Sequence, residues 1–202
     1  MYNEKPKQDS IPEEFNLEPS YATVSEQLAM QMDFTDSVIY LTNDINEDTL
    51  IDLMIRVRAL LNQRTPSQAD DPINLVINSP GGDIYDMLGI IDYIESLSVK
   101  VNTICRGKAF SAGAIILACG TGTRMMSKRS SVMFHQSSSL LDGKMSDLES
   151  YITNVKNLET NIYNLLAEKT KKDAKWWKDH MRSDFFISAE ELVEYGVIDQ
   201  II

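Results

Sequence analysis

Histidine and cysteine are scarce in this chain, two of each among 202 residues, and that scarcity narrows its chemistry. Cys105 and Cys119 sit in apolar stretches with no Cys/His cluster nearby, so a zinc centre is not expected and buried thiols in a reducing compartment are. No metal and no cofactor are expected. Basic residues are also few: 19 Lys and Arg against 30 Asp and Glu leave a formal charge of -11. A general nucleic-acid binder needs a basic face to neutralise phosphates, so proteins or small molecules are the expected partners. No apolar run is long enough to span a bilayer, and residues 1–20, with Pro6, Pro12 and Pro19 among charges, are too charged for a signal peptide. They read as a flexible tail or processed leader ahead of one domain over 21–202, in a soluble cytoplasmic protein. No G-x-x-x-x-G-K-[ST] segment occurs, so any dependence on ATP has to come from a partner.

What is present is an α/β pattern. Val38 to Leu41 reads as a short strand, and Thr49 to Leu61 carries apolar residues at helical spacing. A polar break over 62–71 leads into Ile73 to Asn78, whose continuous apolar character suits a buried parallel strand. Ser79-Pro80-Gly81-Gly82 turns the chain into a helix that places Ile84, Met87, Leu88, Ile91 and Ile94 on one face. Val101 to Cys105 is predicted as a strand and Ser111 to Cys119 as the helix after it, giving two βα units in succession and hence a parallel sheet with right-handed crossovers. Short β-like runs follow at 124–126 and 131–135. A turn at Asp142-Gly143 and a Ser146-x-x-Glu149 capping box predict a long helix over 146–169. A last helix is predicted over 189–195, capped by Ser188 and stopped by Gly196.

Two features carry chemistry. Gly81-Gly82 is by itself a tight turn needing positive φ. At the carboxyl end of a parallel strand it also lets a backbone N–H meet a ligand oxygen with no side chain in the way. Ser111, in Gly107-Lys108-Ala109-Phe110-Ser111-Ala112-Gly113-Ala114, is by itself a small residue that allows close packing. A strand-to-helix turn is also where a nucleophilic serine is held exposed, with the next N–H, that of Ala112, contributing to an oxyanion hole. A serine hydroxyl needs a base. His135 closes the apolar run Val132-Met133-Phe134 and should emerge at a strand end, so it is favoured over His180, which sits in a polar segment after the long helix. For a carboxylate to orient the imidazole, Asp184 stands out because Phe185-Phe186 follow it, with Asp173, Asp179 and Asp199 left open.

With those residues in view the chain resembles a known family. Asn78-Ser79-Pro80-Gly81-Gly82, the Gly107 to Ala114 run, Met133-Phe134-His135-Gln136, Asp184-Phe185-Phe186-Ile187-Ser188-Ala189-Glu190-Glu191 and Glu194-Tyr195-Gly196-Val197-Ile198-Asp199 are similar to the proteolytic subunits of Clp proteases, the ClpP family. The resemblance runs from about Val38 to the C-terminus, with the motifs in the family's order. It implies a ClpP/crotonase-like fold of repeated ββα-type units with a long protruding handle helix. It also implies a serine endopeptidase with Ser111 as nucleophile, His135 as general base, Asp184 as orienting acid, and Gly82 and Ala112 N–H groups as the oxyanion hole. Homo-oligomeric heptameric rings, one or two, are implied, with unfolded polypeptides delivered by an AAA+ unfoldase.

The chain also departs from the family pattern. Ala112 stands where methionine is usual, which leaves the N–H intact. Ser137 replaces a proline after His-Gln, and Arg182-Ser183 replace an acidic residue and an arginine, so ring-to-ring ion pairing does not carry over. Two other functions compete: a catalytically silent structural or regulatory ring subunit, and a crotonase-like acyl-CoA enzyme sharing the βα core and paired N–H groups.

Overall fold

β-branched and other apolar runs make the centre of the computed structural model, which describes residues 32–137 and 144–202. The expected tail over 1–20 and the turn at Asp142-Gly143 lie outside the described residues. In chain order the elements are β1 (Val38–Leu41), α1 (Glu47–Gln63), β2 (Ile73–Ser79), α2 (Ile84–Ser96), β3 (Val101–Phe110), α3 (Ala112–Ala118), β4 (Arg124–Met126) and β5 (Ser131–Phe134). There follow α4 (Met145–Lys169), α5 (Ala174–His180), β6 (Phe185–Ile187), α6 (Ala189–Tyr195) and β7 (Gln200–Ile201). The fold is the α/β class expected, with a mostly parallel sheet ordered β1-β2-β3-β4-β7. β5 pairs parallel with the far half of β3, and β6 closes antiparallel on β5.

The sheet is buried because its strands carry apolar residues on both faces. On one face Ile73, Leu75, Ile77, Val101 and Cys105 are each at or below 1% exposure, and on the other Val76 and Ile104 are 8% and 9% exposed. α1 buries Leu53, Val57 and Leu60, and α2 buries Met87, Ile90, Ile91 and Ile94. Both are started by side chains that satisfy orphan N–H groups: Asn46 accepts from Thr49, and Asp83 accepts from Tyr85 and Asp86.

Three expectations need correcting. β3 does not stop at Cys105 but continues to Phe110, because Lys108 to Phe110 find a partner in β5. Cys105 is followed by a bulge: Ile77 pairs with Cys105 and Ser79 with Ala109, two residues along β2 against four along β3. Second, α3 begins at Ala112, with Ser111 as its N-cap residue. Third, the Ser146-Glu149 capping box does not form. α4 starts at Met145 with Lys144 as N-cap and no side-chain cap, so Ser146 lies inside the first turn and its hydroxyl turns to Asp147. Residues 144–147 at that end of α4 are exposed, whereas Ile162, Tyr163 and Leu166 bury its far end. The helix predicted over 189–195 is present, with Ser188 and Glu191 forming a reciprocal capping box and Gly196 at φ +73 ending it.

Candidate active site

The turn after β2 is built by its own first residue. Ser79 is fully buried and donates its hydroxyl to Asn43 O (2.7 Å), while accepting from Gly81 N–H (3.1 Å). That fastening holds two glycines in backbone that L-residues avoid, Gly81 at φ +102 and Gly82 at φ +153. Close approach adds a second reason. A Cβ on Gly81 would lie 2.7 Å from Ser111 Cβ, and one on Gly82 would lie 2.1 Å from Ile45 O. Ile45 N–H donates to Gly81 O (2.8 Å) and Asp83 N–H to Ile45 O (2.7 Å). Across a trans peptide the C=O and N–H point opposite ways, so the Gly82 N–H is directed away from the Ile45 N–H that Gly81 O accepts, and Gly82 lines a cleft.

Ser111 occupies φ +52, ψ -121, one of two non-glycine residues at positive φ among the described residues. Such a conformation costs on the order of 1–3 kcal/mol and persists where neighbours over-determine it. Here Ser111 N–H donates to Met133 O (2.8 Å), and Ser111 O accepts from Ala114 N–H (3.0 Å). Because α3 starts at the next residue, the Ala112 N–H falls among the first helical donors, which have no partner within the helix.

His135 follows β5 directly. Phe134 ahead of it is fully buried against Trp177 of α5, ring centroids 4.8 Å apart, and Trp177 itself donates to Thr170 Oγ1 (3.0 Å). β6 pairs with β5 as Val132↔Ile187, Met133↔Phe186 and Phe134↔Phe185. One further step of that antiparallel register sets His135 opposite Asp184. The two side chains meet there, Nδ1 to Oδ1 3.4 Å, with Asp184 64% exposed and His135 28%. Among the described residues the Ser111 hydroxyl makes no hydrogen bond to the imidazole.

Gly82, Ser111, Ala112 and His135 line one cleft of about 250 Å3, floored by apolar residues such as Met87, Ile115 and Ile162. α4 forms its other wall with Tyr151, Val155, Leu158, Glu159 and Tyr163, spaced to share one helical face. Four of the five residues singled out from sequence thus border the same space, and the fifth, Asp184, stands behind His135. The alternatives are engaged elsewhere. His180 stacks on Trp176 (3.9 Å) with Nδ1 at 2.7 Å from Trp176 O, and Asp173 caps α5 through Trp176 N–H (2.7 Å). Asp179 pairs with Lys175. Asp199 is held by Arg124 through two contacts of 2.7 Å, which keep its carboxyl below the usual range.

A family model described as Clp protease matches residues 23–202. The chain belongs to the Clp protease family. Curated relatives include two described as ATP-dependent Clp protease proteolytic subunit 1, from Prochlorococcus marinus subsp. pastoris (strain CCMP1986 / NIES-2087 / MED4) and from Prochlorococcus marinus (strain MIT 9312). Each is 33% identical over 171 residues, covering 83% of this chain and 84% of the relative.

In this Clp-family chain the sequence reading missed two supports. Ser79 was read as part of a turn, not as its fastener, although a serine opening a Pro-Gly-Gly turn is a known way for a hydroxyl to bind nearby backbone. Glu159, half-buried on α4, accepts from Ser137 N–H (3.1 Å) and Gln136 Nε2 (3.4 Å), and nothing in its sequence setting distinguishes it from other helical acids. Among the described residues no group of three or more His, Cys, Asp or Glu is placed to hold a metal ion. No helix there is long and apolar enough to cross a membrane.

Proposed function

We propose that this chain is the peptidase subunit of an ATP-dependent Clp-type protease, a serine endopeptidase that hydrolyses unfolded polypeptides or short peptides. The observation that carries the reading is the convergence of Ser111, Gly82, Ala112 and His135 on one cleft with Asp184 behind the imidazole. His135 takes the Ser111 proton as the hydroxyl attacks the scissile carbonyl. The oxyanion is met by the Gly82 and Ala112 N–H groups, and His135 then protonates the leaving amine before water releases the acyl-enzyme. Asp184 keeps the imidazole oriented. Hydroxyl and imidazole draw into hydrogen-bond range on substrate binding, as catalytic contacts that are long in an empty site commonly do.

The working particle in this reading is a ring-shaped homo-oligomer of heptameric rings, in the cytoplasm, fed by an AAA+ unfoldase. Ile51, Met54 and Ile55 support assembly, since they leave an apolar stripe exposed along α1. A second reading, a catalytically silent ring subunit, is favoured by the 3.4 Å His135–Asp184 separation and the unmade Ser111–His135 bond. One experiment separates them. Purified chain is treated with a fluorophosphonate probe and assayed for peptide cleavage, with particle size measured in parallel, beside Ser111→Ala. Labelling and cleavage that vanish in Ser111→Ala support the peptidase. A wild-type chain that neither labels nor cleaves as a ring is the silent subunit.

A further inference from the structure

The segment that leaves β5 carries His135 into the cleft, and the β-sheet stops holding it at Phe134. Beyond that point the imidazole is steadied from behind by an acid that is 64% exposed. From the other wall, Glu159 reaches across from α4. One carboxylate oxygen accepts the Ser137 backbone N–H at 3.1 Å, and the other lies 3.4 Å from the Gln136 amide nitrogen. Glu159 is itself anchored, because the next turn of α4 is fixed by buried Ile162 and Tyr163. The bond to Ser137 is charge-assisted and requires a backbone N–H at that position.

We propose that Glu159 is a positioning residue for the reaction, a latch from α4 that holds 135–137 so that the His135 imidazole faces Ser111. The proposal rests on the peptidase reading for its effect on catalysis, but the latch itself is a structural claim with its own readout. Glu159 lines the cleft but contacts neither Ser111 nor His135, so a positioning role predicts that its removal acts on turnover more than on peptide binding.

The test uses the full-length chain. Glu159→Ala should raise hydrogen exchange over 135–137 and lower kcat about tenfold, the scale of one charge-assisted hydrogen bond, with KM held. Glu159→Gln, which keeps an acceptor oxygen, should recover part of the loss. Ser137→Pro deletes the N–H but restores the proline usual at this place in the family, so the decisive comparison is the Glu159→Ala effect in that background. The Pro/Ala double variant should turn over no more slowly than Ser137→Pro alone, and Ser137→Ala, which keeps the N–H, should cost little. That non-additivity would not arise from general loosening of the fold. Unchanged exchange over 135–137 in Glu159→Ala overturns the latch, as does raised exchange with unchanged kcat. A change confined to KM for peptides with Lys or Arg beside the scissile bond also overturns it, by making Glu159 a substrate contact. A wild-type chain that neither labels nor cleaves counts instead against the peptidase reading, and the exchange measurement still decides the latch.

Discussion

Gly81→Ala tests whether the turn after β2 and Ser111, the proposed nucleophile, form one mechanical unit. The added Cβ would lie 2.7 Å from Ser111 Cβ and 2.8 Å from Phe110 O, distances that side-chain carbons do not adopt, and Gly81 sits at φ +102. Two costs follow. Placing an L-residue at that φ costs about 1–2 kcal/mol. Overpacking against backbone that cannot swing aside adds roughly 1–3 kcal/mol. Their sum corresponds to a fall in Tm of about 5–15 °C for a chain of this size. The functional effect is larger in proportion, because relief of the clash moves Ser111 away from Gly81 by a sizeable fraction of an ångström. A misplacement of about 1 Å can cost on the order of 100-fold in rate. Scanning fluorimetry gives the first quantity and the rate of fluorophosphonate labelling the second. Gly89→Ala is the comparison: its Cβ meets the end of the Leu50 side chain at 2.9 Å, which can rotate, and alanine gains about 0.5–1 kcal/mol of helix propensity in α2. Gly81→Ala labelled at the wild-type rate, with Tm unmoved, would refute the coupling.

The other expectations concern groups around this unit. Ser79→Ala removes two hydrogen bonds from a fully buried hydroxyl, and leaving Asn43 O and Gly81 N–H unpaired should cost about 1–3 kcal/mol, read from urea midpoints. Arg124 hydrogen bonds hold the Asp199 carboxyl below its ordinary value of 3.8. The stabilisation is therefore complete above that value and is lost as pH falls through the lower folded value, so Asp199→Asn should flatten the acid limb of the stability curve below about pH 4 and leave its slope at neutral pH alone. Burial pushes the Cys105 thiol up to about 11 and Cys119 up to about 12. Both should resist iodoacetamide at pH 8 in the native chain and react fully in denaturant, since the thiolate is the reactive form.

How much of this was legible in the sequence depended on how local the cause was. β2 and α2 could be read because apolar runs, a turn and an N-cap stand within a few residues of one another. The far half of β3 could not: Arg106 and Gly107 are exposed, Gly107 sits at φ +96, and the stretch looks like a loop until β5 is beside it. β6 and β7 span three and two residues and exist only through their partners. α5 did have a local signal in Asp173, which caps it, but its reason for being is Trp177, whose burial against Phe134 is a tertiary fact. Among the candidate site residues, Ser111 could be read from its place in a strand-to-helix turn among small residues and His135 from its place after an apolar run. Asp184 was chosen from several acids, and the choice depends on register.

Strand register also explains why residues far apart in sequence border one cleft. In the first half of the β2–β3 pairing Ile77 lies beside Cys105, and that alignment carried forward would set Ser111 beside Asp83. The bulge inserts two residues into β3, shifts the pairing to Ser79 beside Ala109, and so brings Ser111 back to Gly81, in agreement with the 2.7 Å approach there. Asn78 secures the bulge by accepting Lys108 N–H (3.2 Å), and the same Asn78 oxygen would lie 2.6 Å from a Cβ on Gly107. Position 107 lines no part of the cleft, yet it sets which residue arrives beside the Gly81-Gly82 turn. The constraint on Gly107 is thus a constraint on Ser111, transmitted along the last four residues of β3.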